Sequence, residues 1–166
     1  LAEFLTTTLE LHETSFGFTH LYCSAMHRAL LTVQPVAKAF DMQPQVWVDL
    51  HEKGGMFLRE KGHVNGFKGM TRASILKEFP NYDLPDTIKD NGWYDSEMGT
   101  EPETHSFYRA IKVATALQQR AESDDVLALV SHAGFLDILL KAIFNQLPSR
   151  PRTTNYYHYN TAITRI

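Results

Sequence analysis

Three stretches of this 166-residue chain, "GFTHLYCS" (17–24), "QVWVDL" (45–50) and "VLALVS" (126–131), carry apolar residues at consecutive positions instead of alternating them with polar ones. A strand with one wet face alternates, whereas a strand covered on both faces reads as a nearly continuous apolar run. The first and last of these runs lead straight into a helix-like segment, and the middle one into a long loop-rich stretch. Strands of this kind interleaved with helices predict an α/β fold of three layers, a mostly parallel sheet with helices on both faces. The length suits one domain with its own core, spanning 1–166.

Periodicity places the remaining elements. Leu1, Phe4, Leu5 and Leu9 recur at helical spacing, predicting a helix over about 1–14. That helix starts in mid-pattern, without a capping signal or a methionine, so the polypeptide is expected to extend upstream of Leu1. "AMHRALLTVQPVAKAF" predicts a second helix, kinked or broken at Pro35. "TRASILKEF" and "AGFLDILLKAIF" read as further helices. "THSFYRAIKVATALQQRA" reads as an amphipathic one with Phe107, Ile111, Ala114 and Leu117 on its apolar stripe. "YNTAITRI" closes the chain as an extended run. The stretch from His51 to Thr104, rich in Gly, Lys and Asp, is too long for a simple connection and is expected to be a lid-like insertion.

A net charge of -3 gives no electrostatic reason for a nucleic-acid or anionic-membrane partner. No apolar run approaches the roughly 20 residues of a membrane span. The single cysteine, Cys23, excludes an internal disulfide, fits a reducing cytoplasm, and sits in an apolar run where it reads as a buried thiol. A homodimer is compatible with these features.

In an open parallel sheet the binding site lies outside the carboxyl ends of the strands. The first strand ends at Ser24, with Arg28 one turn into the next helix. Glu52 lies just beyond the second strand, and His132 just beyond "VLALVS". Arginine near a helix N-terminus suits a phosphate, because its planar fork and the free helix N–H groups both face the anion. A histidine before a second helix can add a hydrogen bond, and a carboxylate can move a proton to or from oxygen. Taken singly, Arg28 reads as a solvated helix residue, Glu52 as an exposed loop acid and His132 as a satisfied core imidazole. Together they form a metal-free phosphoryl-transfer set that lacks a nucleophile.

These stretches resemble the histidine phosphatase (phosphoglycerate mutase-like) superfamily. "LYCSAMHRALLTVQPVA" is similar to its "SSPxxRAxxTAxxxA" segment, "VDLHEKGG" to "LxExxxG", and "LALVSHAGFLDILL" to "VxHGGxxxxLL". "YNTAITRI" resembles its closing asparagine-led strand. The matches fall in order over nearly the whole chain. The resemblance implies a phosphoglycerate mutase-like fold and a phosphohistidine mechanism without cofactor or metal. Arg28 and His132 would then belong to the phosphate pocket and Glu52 would be the proton donor and acceptor. The family's nucleophilic histidine sits in an Arg-His-Gly motif on its first strand. No Arg-His pair occurs in these residues, so the nucleophile is expected upstream. "GMTRASI" resembles the stretch where mutases carry a substrate-binding lysine, which implies a substrate contact for Arg72. Ala133 stands where His-Asp type acid phosphatases carry an aspartate, which favours Glu52 as the acid. The mutases' paired-arginine segment is not visible between Glu52 and Thr104.

The expected activity is therefore that of a phosphomonoester phosphatase acting on a small phosphorylated substrate, with a phosphoglycerate mutase as the alternative. A catalytically inactive module that only binds a phosphorylated ligand is the alternative of a different class. A metal hydrolase built on His51, His63 and His132 is a third reading, but no H-x-x-x-H or C-x-x-C spacing supports it. No G-x-G-x-x-G follows any strand, which argues against a dinucleotide site.

Overall fold

The computed structural model describes residues 16–148 and 154–166. The helix expected over 1–14, and part of the loop after the last helix, lie outside these residues. In chain order the elements are strand β1 (His20–Cys23), helix α1 (His27–Phe40), strand β2 (Gln45–Val46), strands β3 (Phe57–Glu60) and β4 (His63–Gly66), helix α2 (Arg72–Glu78), helix α3 (Glu103–Gln118), strand β5 (Leu127–Val130) and helix α4 (Ala133–Ile143).

The sheet order is β2-β1-β5 and all pairs are parallel. Alternate residues of β1 enter different layers. Leu21 and Cys23 pack with Leu30, Val33 and Val36 of α1, whereas Tyr22 packs with Val113 of α3 and Ile138 of α4. This two-sided burial is the physical reason "HLYC" carries no polar alternation, and it produces the expected three layers. Burial pushes the Cys23 thiol up to about 12, so it remains a neutral core side chain.

Helix α1 runs through Pro35 without a break. Pro35 lies on the exposed side, where the carbonyl left without an N–H donor faces solvent, so the lost bond is tolerated. The second apolar run forms only two strand residues. It then turns into a short 3-10 helix, Val48–Leu50, that carries the chain toward Glu52.

Between His51 and Thr104, the β3–β4 hairpin is exposed and turns through Lys61 and Gly62, both with positive φ. Further along the same stretch, Ile75 of α2 packs with Phe79, Tyr82, Leu84 and Ile88 against the α1 side of the sheet.

The expected stripe of α3 holds at Ala114, which is buried, and at Phe107 and Leu117, which pack on the core, but not at Ile111. The buried residues of the helix are Ser106, Arg109, Ala110, Val113 and Ala114, and Ile111 is exposed. The buried face holds an arginine and a serine, and an apolar stripe read from sequence cannot include them.

The closing run forms no strand in the described residues; it turns near Asn160 and Thr161 and is exposed. An extended segment becomes a strand only beside a partner. Among the described residues, β5 pairs with β1 alone. Its four residues are all half-buried, so an apolar strand of interior character stands at a sheet edge.

Candidate active site

Ser24, Glu52 and His132 lie at the carboxyl ends of the three parallel strands, and their order in the sheet brings them to one rim. His132 is the residue before α4 and is buried. Arg28 Nε donates to His132 Nδ1 at 3.1 Å. An arginine is always a donor, so Nδ1 must be the unprotonated nitrogen of the ring. The proton then sits on Nε2, 2.9 Å from Ser24 Oγ. Ser24 Oγ in turn accepts from the backbone N–H of Met26 at 3.2 Å. Arg28 thus fixes the tautomer of His132 and Ser24 helps to orient its ring, a role that a strand-ending serine does not reveal in sequence.

Glu52 joins from the other side. Its Oε1 accepts from the backbone N–H of Phe135 at 2.9 Å and from that of Lys53 at 2.8 Å. Phe135 lies in the first turn of α4, so the carboxylate sits at the positive end of the helix that His132 precedes. A Cβ at position 134 would lie 2.7 Å from Glu52 Oε1, so glycine there lets the carboxylate approach. Ser131 Oγ donates to Leu50 O at 2.7 Å and ties the end of β5 to the segment carrying Glu52.

Beneath Glu52 lies a buried network that sequence reading missed. Arg109 Nε and Nη2 donate to the two Glu101 carboxylate oxygens at 2.9 and 2.6 Å. Its Nη1 donates to the carbonyls of Asp49 and His51 at 2.6 and 2.7 Å. The guanidinium lies 4.4 Å from the centroid of the Phe135 ring. His51 Nδ1 donates to Val48 O at 2.8 Å, and its Nε2 stands 3.6 Å from Glu101. Burial acts to raise the Glu101 pKa, but the neighbouring His51 and the two-pronged Arg109 outweigh it and hold the carboxyl at about 2.

Arg72 is not drawn into this cluster. Its Nη1 and Nη2 donate to Pro85 O and Leu84 O at 3.0 and 3.3 Å, fastening α2 to the proline-flanked loop. His63 lies on the exposed hairpin. Among the described residues no three His, Cys, Asp or Glu side chains gather closely enough to hold a metal ion, so His51, His63 and His132 do not form a ligand set. No helix of the described residues is long and apolar enough to cross a membrane.

Burial, and then the positive charges of Arg28, His51 and Arg109, pull the His132 pKa from 6.5 down to about 3. Between those values the unfolded chain takes up a proton that the folded one refuses. The contribution is therefore complete above pH 6.5 and stability falls as pH drops toward 3, by at most about 1.4 kcal/mol per pH unit. Glu101 adds its own loss only below pH 4.5. Denaturant midpoints taken between pH 6.5 and 4.5 should thus decline in the wild type and flatten in His132→Gln. The same slope in both proteins would mean that His132 is protonated in the fold.

The structure is thus a parallel α/β sheet with an arginine, an imidazole and a carboxylate gathered at its carboxyl rim. The model of the histidine phosphatase superfamily (branch 1) matches residues 8–166, and the chain belongs to that superfamily. Among solved structures, the chain is similar to the ecdysone phosphate phosphatase from Bombix mori in complex with tungstate. The two share 17% identity at a TM-score of 0.60, over 99% of this chain and 61% of that one. A mycobacterial glucosyl-3-phosphoglycerate phosphatase matches at 18% identity and a TM-score of 0.45, over 85% of this chain and 62% of its own. A second mycobacterial protein, hydrolase 1, matches at 18% and 0.48, over 89% and 62%. The chain thus spans about three fifths of the length of each, and the Bombix mori likeness shows a shared fold. No curated protein sequence gives a significant match.

Proposed function

We propose that the natural polypeptide carrying this sequence is a metal-independent phosphomonoester phosphatase working through a phosphohistidine intermediate. The observation that carries the reading is the 3.1 Å contact of Arg28 with His132, which puts a fixed cation and an imidazole at one sheet rim beside a carboxylate held at a helix N-terminus. A phosphate dianion there would accept from the Arg28 Nη groups and the free N–H groups of the rim, and from His132 Nε2–H once that bond exchanges Ser24 Oγ for the anion.

The reading takes the nucleophilic histidine from outside these residues, on a strand paired with the open edge of β5, beside Ser131 and His132. That imidazole attacks phosphorus, the P–O bond breaks, and Glu52 gives its proton to the departing alkoxide. The Glu52 carboxylate then takes a proton from water as its oxygen attacks phosphorus, the N–P bond breaks and phosphate leaves. The commitment of both Arg72 Nη groups to backbone carbonyls supports a phosphatase over a mutase, since the substrate contact expected of a mutase is otherwise engaged. The tungstate of the Bombix mori protein, a tetrahedral oxyanion, is carried over as the ligand class.

Two measurements test this. Mixing the natural polypeptide with a 32P-labelled phosphomonoester and quenching should trap an acid-labile, base-stable phosphoprotein, in chelator as well as without it. Substrate binding with no phosphoenzyme would support an inactive binding module, and loss of turnover in chelator a metal hydrolase. Arg28→Ala should weaken tungstate binding about 10- to 100-fold, the size of one charged hydrogen bond or two. Unchanged affinity would remove Arg28 from the pocket.

A further inference from the structure

A cavity of about 320 Å³ lies beside the segment that joins β1 to α1, and the mechanism above uses none of it. Ala25 and His27 line it, each one residue from a member of the anion site, Ser24 and Arg28 respectively. Its far wall includes Trp93, whose ring lies 5.4 Å from that of His51, the neighbour of Glu52. The cavity is thus lined by chain neighbours of Ser24 and Arg28 and by a ring packed on the chain neighbour of Glu52.

The wall is apolar. Met56, Phe67, Met70 and Trp93 supply most of it, and the polar groups of the lining side chains are His27, which is engaged with Glu78 at 2.8 Å, the exposed Lys68, and the buried Trp93 Nε1–H, which has no hydrogen-bond partner among the described residues. Gly69 allows the shape: its φ is +73°, and a Cβ there would lie 2.3 Å from Trp93 Nε1. Two thioethers give a wall that adapts to a ring without fixed polar contacts. The volume sits at the low end of small-molecule pockets. A sugar placed here would strip water from hydroxyls that find few partners, which is unfavourable.

We propose that this cavity holds the apolar, ring-sized alcohol portion of a phosphomonoester whose phosphate sits at Arg28 and His132. The assignment rests on the reading above for where the phosphate lies. It makes Met56, Phe67, Met70 and Trp93 determinants of substrate choice, the first three carried by the segments flanking the hairpin and Trp93 by the loop after α2.

Non-hydrolysable phosphonates test the cavity apart from the chemistry. Cyclohexylmethylphosphonate should bind the natural polypeptide at least 30-fold more tightly than methylphosphonate. Phe67→Ser, on an exposed position that the fold tolerates, and Met56→Gln should each cut that ratio at least fivefold. Equal affinity for the two phosphonates, failure of both to bind, or a ratio unmoved in both variants would overturn the assignment. If the ratio holds but no phosphomonoester is hydrolysed, the cavity stands and the phosphatase reading falls. If hydrolysis proceeds with equal phosphonate affinities, the reverse is true.

Discussion

Replacing Glu52 by Gln lowers the turnover of an alkyl phosphomonoester about 10²- to 10⁴-fold, the usual contribution of a positioned proton donor. Gln is the informative substitution because its amide oxygen can still accept from the N–H groups of Lys53 and Phe135. The bonds that hold the side chain survive, and what disappears is the ionisable proton. The helix N-terminus loses a negative charge that it favours, which costs only about 0.3–1 kcal/mol of stability. The fall should be largest for alkyl esters and smaller for p-nitrophenyl phosphate, whose leaving group departs readily without a proton. Tungstate affinity should stay within about threefold of wild type, because in the proposed mechanism Glu52 acts on the leaving oxygen and Arg28 and His132 act on the anion. Steady-state rates on the two ester types, with tungstate inhibition of each protein, decide the matter. Parallel losses in binding and in both rates would make Glu52 a structural residue.

That experiment probes a site whose members were unequally visible in the sequence. Arg28, Glu52 and His132 could be placed because parallel strands deliver whatever follows them to one rim, and apolar runs mark where strands end. The contact between Arg28 and His132 across 104 positions follows from strand order, which the runs do not encode. Ser24 was legible only as the last residue of a strand, because its bond to His132 depends on β1 lying next to β5. Arg109 was hidden for a different reason. Helical periodicity assigns charged residues to the wet face, so the stripe was drawn through Ile111, which is exposed, and away from Arg109, which is buried. The rule fails where a buried charge has a partner, and here the partner is Glu101, upstream of the helix. The lid expectation over 51–104 came from length and composition, and neither registers that Ile75, Phe79 and Ile88 are spaced to enter the core. The edge position of β5 was equally silent, since an interior strand and this one read alike.

Truncating Arg109 to Ala should lower folding stability by about 3–5 kcal/mol, a large part of the roughly 5–15 kcal/mol that holds a domain together. The reason is the geometry of the pair. Arg109 and Glu101 are both buried, and removing the guanidinium leaves a carboxylate in the interior with only His51 nearby. The carbonyls of Asp49 and His51 lose their donor at the same moment. Removing both charges, as Glu101→Gln with Arg109→Met, should recover part of the loss, because no uncompensated ion then remains. Function separates a mere prop from a positioning residue. Arg109 holds the backbone leading to Glu52 and packs on Phe135, whose N–H fixes the Glu52 carboxylate. It therefore brackets Glu52 from two sides and donates no hydrogen bond to His132. In Arg109→Lys, which keeps the charge but not the planar fork, kcat for an alkyl ester should fall at least tenfold while KM moves less than threefold. Urea denaturation of the three variants, read beside that split, settles both halves. A stability loss below about 1 kcal/mol in Arg109→Ala would mean that water reaches the pair. A fall in kcat matched by an equal rise in KM would mean that Arg109 shapes the whole pocket and not the placement of Glu52.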